Sequence, residues 1–132
     1  MTVKKKAILA AVIIVVTLVV SPFSSCSFFE NLEKEEAFIS TISYEQLDLS
    51  NKENGVYIGE FKLPLKSARV SVVVKNGRLK TIDLLEHSHG PGFSGEGVIK
   101  RVLEEQSLEV DAVSGATKSS ITILKAIENA IQ

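Results

Sequence analysis

Ala68-Arg69-Val70-Ser71-Val72-Val73-Val74-Lys75-Asn76-Gly77-Arg78-Leu79-Lys80-Thr81-Ile82-Asp83-Leu84-Leu85 is the stretch whose pattern sets the architecture. Val70, Val72 and Val74 alternate with Ser71, Val73 and Lys75, the period of two expected of a strand with one apolar face. Asn76-Gly77 then interrupts the pattern with two residues that accept positive φ, as a two-residue hairpin turn requires. A second strand follows over 79–85, so the pair is antiparallel. Upstream, Val56-Tyr57-Ile58-Gly59-Glu60-Phe61 supplies another strand.

An antiparallel sheet with one apolar face needs a cover, and two amphipathic stretches lie downstream. Over about 95–106, Val98, Ile99, Val102 and Leu103 form one stripe and Lys100, Arg101, Glu104 and Glu105 the other. Over about 119–131, Ile121, Leu124, Ile127 and Ile131 recur at helical spacing. Strands followed by helices, without βαβ alternation, predict an α+β domain over 48–132: a small antiparallel sheet covered by two amphipathic helices. A chain of 132 residues has room for one such domain and an N-terminal appendage.

The appendage divides in two. Lys4, Lys5 and Lys6 precede a run, 7–20, that is apolar at every position except Thr17, and small residues follow up to Cys26. A basic start, an apolar centre and a small-residue end are the layout of an export signal. At about 1.5 Å per residue the 14 residues span about 21 Å, short of the approximately 30 Å of bilayer hydrocarbon. Residues 1–25 are therefore expected to be an export signal or a membrane anchor. Cys26, the sole cysteine, cannot form an intramolecular disulfide and stands where a lipoprotein signal places the acylated residue. A lipoprotein, an uncleaved anchor and a secreted product all remain open. Loss of 1–25 would leave 12 basic against 16 acidic residues, a charge of −4, which does not favour nucleic acid. Residues 26–47, with Glu30, Glu33, Lys34, Glu35 and Glu36 in close succession, are expected to be a charged tether holding one or two helical turns.

Two stretches are unlike scaffold. Glu86-His87-Ser88-His89-Gly90-Pro91-Gly92-Phe93-Ser94-Gly95 holds both histidines, and its three glycines let backbone approach a flat ligand closely, so it is expected to be one wall of a pocket. A plain flexible connector is the alternative. His87 and His89 at i, i+2, with no cysteine or third histidine nearby, make a poor zinc set, so no metal is expected. The second stretch is Asp111-Ala112-Val113-Ser114-Gly115-Ala116-Thr117-Lys118-Ser119-Ser120, immediately before the last helix. A helix start offers free N–H groups and about half a positive charge, which favours a phosphate. Simple N-capping by Ser or Thr is the competing explanation.

The string Asp111 to Thr117, followed by Ser119-Ser120 and an apolar helix, resembles the signature of the FMN-binding domain family, which includes the flavin-carrying subunits of the sodium-pumping quinone reductase and the Rnf complex. Residues 54–60 resemble that family's opening strand, 73–82 its hairpin and 86–95 its glycine-rich flavin-side loop, so about 80 residues are covered. The loop here reads His-Ser-His-Gly-Pro-Gly where better-known members often show Glu-Thr-Pro-Gly. The resemblance implies that Thr117 bears FMN as a phosphoester, attached by a separate flavin transferase that uses FAD and magnesium. It places Ser114, Gly115, Ala116, Lys118 and Ser119 around the attachment point, makes Asp111 part of what the transferase recognises, and sets His87, Gly90, Gly92 and Phe93 on the flavin side.

The expectation is then a membrane-anchored, extracytoplasmic flavoprotein carrying covalent FMN between a membrane redox donor and an acceptor, rather than an enzyme with its own substrate. A non-covalent FMN-binding module and a structural lipoprotein without flavin are the alternatives. A nicotinamide-dependent reductase would need a Gly-x-Gly-x-x-Gly turn inside a βαβ unit; Gly90-Pro91-Gly92-Phe93-Ser94-Gly95 has that spacing, but the strands here show no βαβ alternation, so no dinucleotide site is expected.

Overall fold

The computed structural model describes residues 23–90 and 92–132, with side chains from residue 29 onward. The apolar run 7–20 and the expected signal or anchor up to residue 22 lie outside them. Among the described residues no helix is long and apolar enough to cross a membrane.

The chain forms two compact units, Met1–Ala37 and Phe38–Gln132. The first helix, α1 (Phe23–Ser40), lies mostly in the first unit and contains Cys26. The tether was expected to hold a turn or two of helix, yet α1 runs for 18 residues. Its sequence has no glycine or proline to stop it, and Lys34 pairs with Glu30 one turn away at 2.9 Å.

In the second unit β1 (Gly55–Lys62), β2 (Ser67–Lys75) and β3 (Arg78–Ser88) form an antiparallel sheet in the order β1-β2-β3. Asn76 and Gly77 close the β2–β3 hairpin with φ of 55° and 66°, the primed geometry that the dipeptide predicts. Two helices follow, α2 (Val98–Glu105) and α3 (Thr117–Ile131). The α+β architecture expected of this segment is present, with both helices covering one face of the sheet.

That face is built from Val70, Val72 and Val74 of β2 and Leu79 and Ile82 of β3, all buried. Val98 and Val102 of α2 and Ile123, Leu124, Ala126 and Ile127 of α3 close over it. Each buried Val, Leu or Ile side chain among them contributes about 1.5–3 kcal/mol by leaving water. The closest approach is at Gly59 on β1, where a Cβ would lie 2.0 Å from the Ala126 carbonyl oxygen and 2.5 Å from the Ala130 nitrogen. Strand and helix backbones touch there because both sides carry the smallest residues available.

β3 is longer and less regular than its alternation suggests. It continues through Glu86, His87 and Ser88, which the sequence reading leaves to a loop. Its register against β2 shifts twice: Val74 pairs with Leu79 but Val73 with Thr81, and Val70 pairs with Leu84 but Arg69 with Glu86. Lys80 and Leu85 are thus extra residues, and each bulge advances the face of the strand by one position. As a result Leu79, Ile82, Leu84 and His87 share the covered face, opposite Val74, Val72, Val70 and Ala68.

Residues 41–54 also belong to the folded unit. Leu49 is buried, and Tyr44 and Leu47 pack against the core. The carboxylate of Glu128, buried on α3, accepts the Glu45 N–H at 2.7 Å and pairs with Lys125, whose ammonium also donates to the Ser43 carbonyl at 3.1 Å.

Candidate functional site

The site begins with the turn before α3. Ala116 N–H donates to the Val113 carbonyl at 2.9 Å, and Gly115 occupies the third position of that turn at φ 76°, a conformation that suits glycine. Ala116 is the N-cap, and no side chain among the described residues caps the helix. The capping explanation for the serines and threonine of this stretch therefore fails. Ser120 instead braces the loop: fully buried, its hydroxyl accepts the Val113 N–H at 3.0 Å and donates to the Ala116 carbonyl at 2.8 Å. Arg101 on α2 ties down the other end, donating to the carbonyls of Asp111 and of Ala112, the latter at 2.9 Å.

With the loop fixed at both ends, Thr117 stands exposed as the first residue of α3, and its hydroxyl has no hydrogen bond to any other described residue. The first N–H groups of a helix lack intrahelical partners and point outward along its axis, so this end presents donors as well as a hydroxyl.

The glycine-rich loop lies directly against this helix start. A Cβ on Gly95 would come within 2.7 Å of the Ser120 nitrogen, and one on Gly115 within 3.2 Å of the Phe93 ring. His87 anchors the loop, with Nδ1 3.1 Å from the Ser67 carbonyl oxygen and Nε2 2.7 Å from that of Ser94. Its place on the covered face follows from the two bulges of β3.

Between loop and helix lies a cavity of about 300 Å³, lined by Lys66, Gly92, Phe93, Gly115, Ala116, Thr117, Lys118 and Ser119. That volume is at the lower end of the roughly 300–1,000 Å³ usual for small-molecule sites, and Phe93, 71% exposed, extends an aromatic surface at its mouth. Among the described residues the lining holds two lysines and no carboxylate. Ser119 is buried, yet its hydroxyl makes no hydrogen bond to another described residue, so it is available to a ligand.

Seven of the residues expected around the cofactor thus meet in one place: Gly92, Phe93, Gly115, Ala116, Thr117, Lys118 and Ser119. His87, Gly90, Asp111 and Ser114 do not line the cavity. His87 works one step back, holding Ser94, and the side chain of Asp111 is exposed while its carbonyl is held by Arg101. Lys66 is the lining residue that sequence reasoning missed. It enters from the start of β2, far from either motif in sequence, and only the pairing of β2 with β3 brings it beneath Gly90. Among the described residues no cluster of three or more His, Cys, Asp or Glu is placed to hold a metal ion.

The residues present suit a flavin mononucleotide. The helix start, the lysines and the free hydroxyls match a phosphate, while Phe93 and the glycine backbone match a flat ring.

Comparison with known proteins agrees. The model of the family described as "FMN-binding domain" matches residues 66–132, just over half of the chain. An uncharacterized protein of Treponema pallidum (strain Nichols) is 29% identical over 83 residues, which are 61% of this chain and 23% of that protein. The chain thus matches about a quarter of the length of this relative. No solved structure matches the chain.

Proposed function

The chain belongs to the FMN-binding domain family, and from that premise we propose that it is an exported, membrane-anchored electron-transfer flavoprotein with FMN joined by a phosphoester to Thr117 Oγ1. The observation that carries the proposal is the placement of Thr117: an exposed hydroxyl without a hydrogen bond to any other described residue, at the first position of α3, opening on a cavity lined by lysines.

When bound, FMN supplies reversible uptake of one or two electrons. The chain supplies the hold. The first turn of α3 and the free Ser119 hydroxyl provide donors for the phosphate, and Phe93 offers a wall for the ring. Among the described residues no carboxylate or histidine lines the cavity to take the proton of Thr117, so attachment falls to a separate flavin transferase, for which the exposed side chain of Asp111 is within reach. In this reading the bound flavin carries electrons between a membrane donor and an acceptor. Anchoring and an extracytoplasmic location rest on the export-type run 7–20 and on Cys26 as the acylated residue.

The test is production of the full chain beside a matching flavin transferase, followed by intact mass. The expected product is yellow and heavier than the polypeptide by FMN minus water, and Thr117→Ala removes the whole increment. Wild-type chain of unmodified mass defeats the covalent reading. Colour that is released on denaturation would instead mark a non-covalent FMN module.

A further inference from the structure

We propose that Lys66 is the cationic partner of a phosphoryl group held at the start of α3, and that it links this group to the glycine-rich loop. The proposal deepens the reading of Thr117 as the flavin attachment point and rests on it for the origin of the phosphoryl group.

Lys66 is 8% exposed, unusual for a lysine. Its backbone is fixed by two reciprocal bonds, Leu63 N–H to the Lys66 carbonyl at 2.7 Å and Lys66 N–H to the Leu63 carbonyl at 3.4 Å. The ammonium donates to the His89 carbonyl and sits under Gly90, where a Cβ would lie 3.4 Å from Nζ. An ammonium has three donors, and this bond uses one. Among the described residues no carboxylate forms an ion pair with it. A cation taken out of water without a counter-ion is costly, and buried charges are ordinarily paired.

The missing anion has a place to go. Lys66 lines the same cavity as Thr117, Lys118 and Ser119. Ser119 is 2% exposed with its hydroxyl unengaged by any described residue, and the helix start adds its own partial positive charge. A buried ammonium, a buried hydroxyl and a helix N-terminus converge on one spot, and a phosphoryl group is the anion with enough acceptor oxygens for all three. Because the ammonium also holds the His89 carbonyl, filling the site would steady the loop that carries Gly92 and Phe93.

The experiment compares thermal unfolding of the full chain, made without a flavin transferase, in rising inorganic phosphate and in chloride of matched ionic strength. Wild type is expected to gain Tm with phosphate. Lys66→Met is expected to be at least as stable as wild type without phosphate, since an apolar group replaces an unpaired buried charge. It should need at least about tenfold more phosphate for the same gain, the loss expected from one charged hydrogen bond. Lys66→Arg should restore the response, and Lys66→Gln, which can still donate to His89, repeats the test should the Met variant not fold.

A lysine that served only to brace the loop would give the opposite pattern: a lower Tm in Lys66→Met with the phosphate response intact. That result, an equal response in all variants, or a wild type indifferent to phosphate overturns the proposal. Flavinylated wild type should no longer respond to phosphate, because its site is filled; a persisting response would separate Lys66 from the flavin phosphate. Failure of the covalent reading is told apart by mass, since an unmodified wild type leaves the phosphate arm untouched.

Discussion

Tyr44 has its hydroxyl buried without a hydrogen-bond partner, and burial, aided by the Glu128 carboxylate, pushes its phenol from the ordinary 10 up to about 12. The folded state therefore holds this proton more tightly than the unfolded chain. The stability tied to it is fully present below pH 10, falls as the pH rises from about 10 to about 12, and has no more to lose above that. Urea unfolding across this range should show Tyr44→Phe losing less stability than wild type. At neutral pH the variant should stay within about 1 kcal/mol of wild type, because the removed hydroxyl had no partner to lose and the ring still faces the Lys125 ammonium. Residue identities such as these are where the sequence says least. Thr117 could be singled out because its motif is contiguous, whereas nothing local marks Lys66, Tyr44 or Glu128. Their roles come from burial and from partners far along the chain.

At the scale of elements, the hairpin was legible because both of its signals are local: alternation in β2 and Asn76-Gly77 in the turn. The extent of β3 was not, since a bulge is defined by the partner strand and leaves no mark on alternation except to blur it. Both covering helices showed in their apolar spacing, but the packing of α3 on β1 did not, because it depends on Gly59 meeting Ala126 and Ala130. That contact gives a sharp expectation. Gly59→Ala puts a methyl group onto helix backbone that has no rotamer to yield, so the loss should reach about 3 kcal/mol or more, at the upper end of the range for overpacking. Chemical denaturation would measure it. A loss under about 1 kcal/mol would mean that α3 can lift from the strand.

For the whole molecule, the pocket is assembled from three separated places in the chain: the start of β2, the loop after β3 and the start of α3. The two motif-bearing loops could be expected to meet; that a buried lysine would complete the site could not. The limits of the folded unit were likewise set by contacts rather than composition, since 41–47 is polar but carries Tyr44 and Leu47 onto the core. A chain of 38–132 should consequently be more stable than one of 48–132, which removes the Ser43 and Glu45 contacts of Lys125 and Glu128. Losing a hydrogen bond to a buried carboxylate predicts a difference of about 2 kcal/mol or more in urea unfolding. The bulges at Lys80 and Leu85 reach further than the strand that contains them. Were β3 to pair with β2 residue for residue past Leu84, with Leu85 opposite Arg69 instead of bulged out, everything beyond would change sides: Glu86 would turn inward, His87 would turn to water, and the chain would leave the sheet on its bare face. Residue count within β3 acts as the rudder that steers the phenylalanine wall toward the threonine.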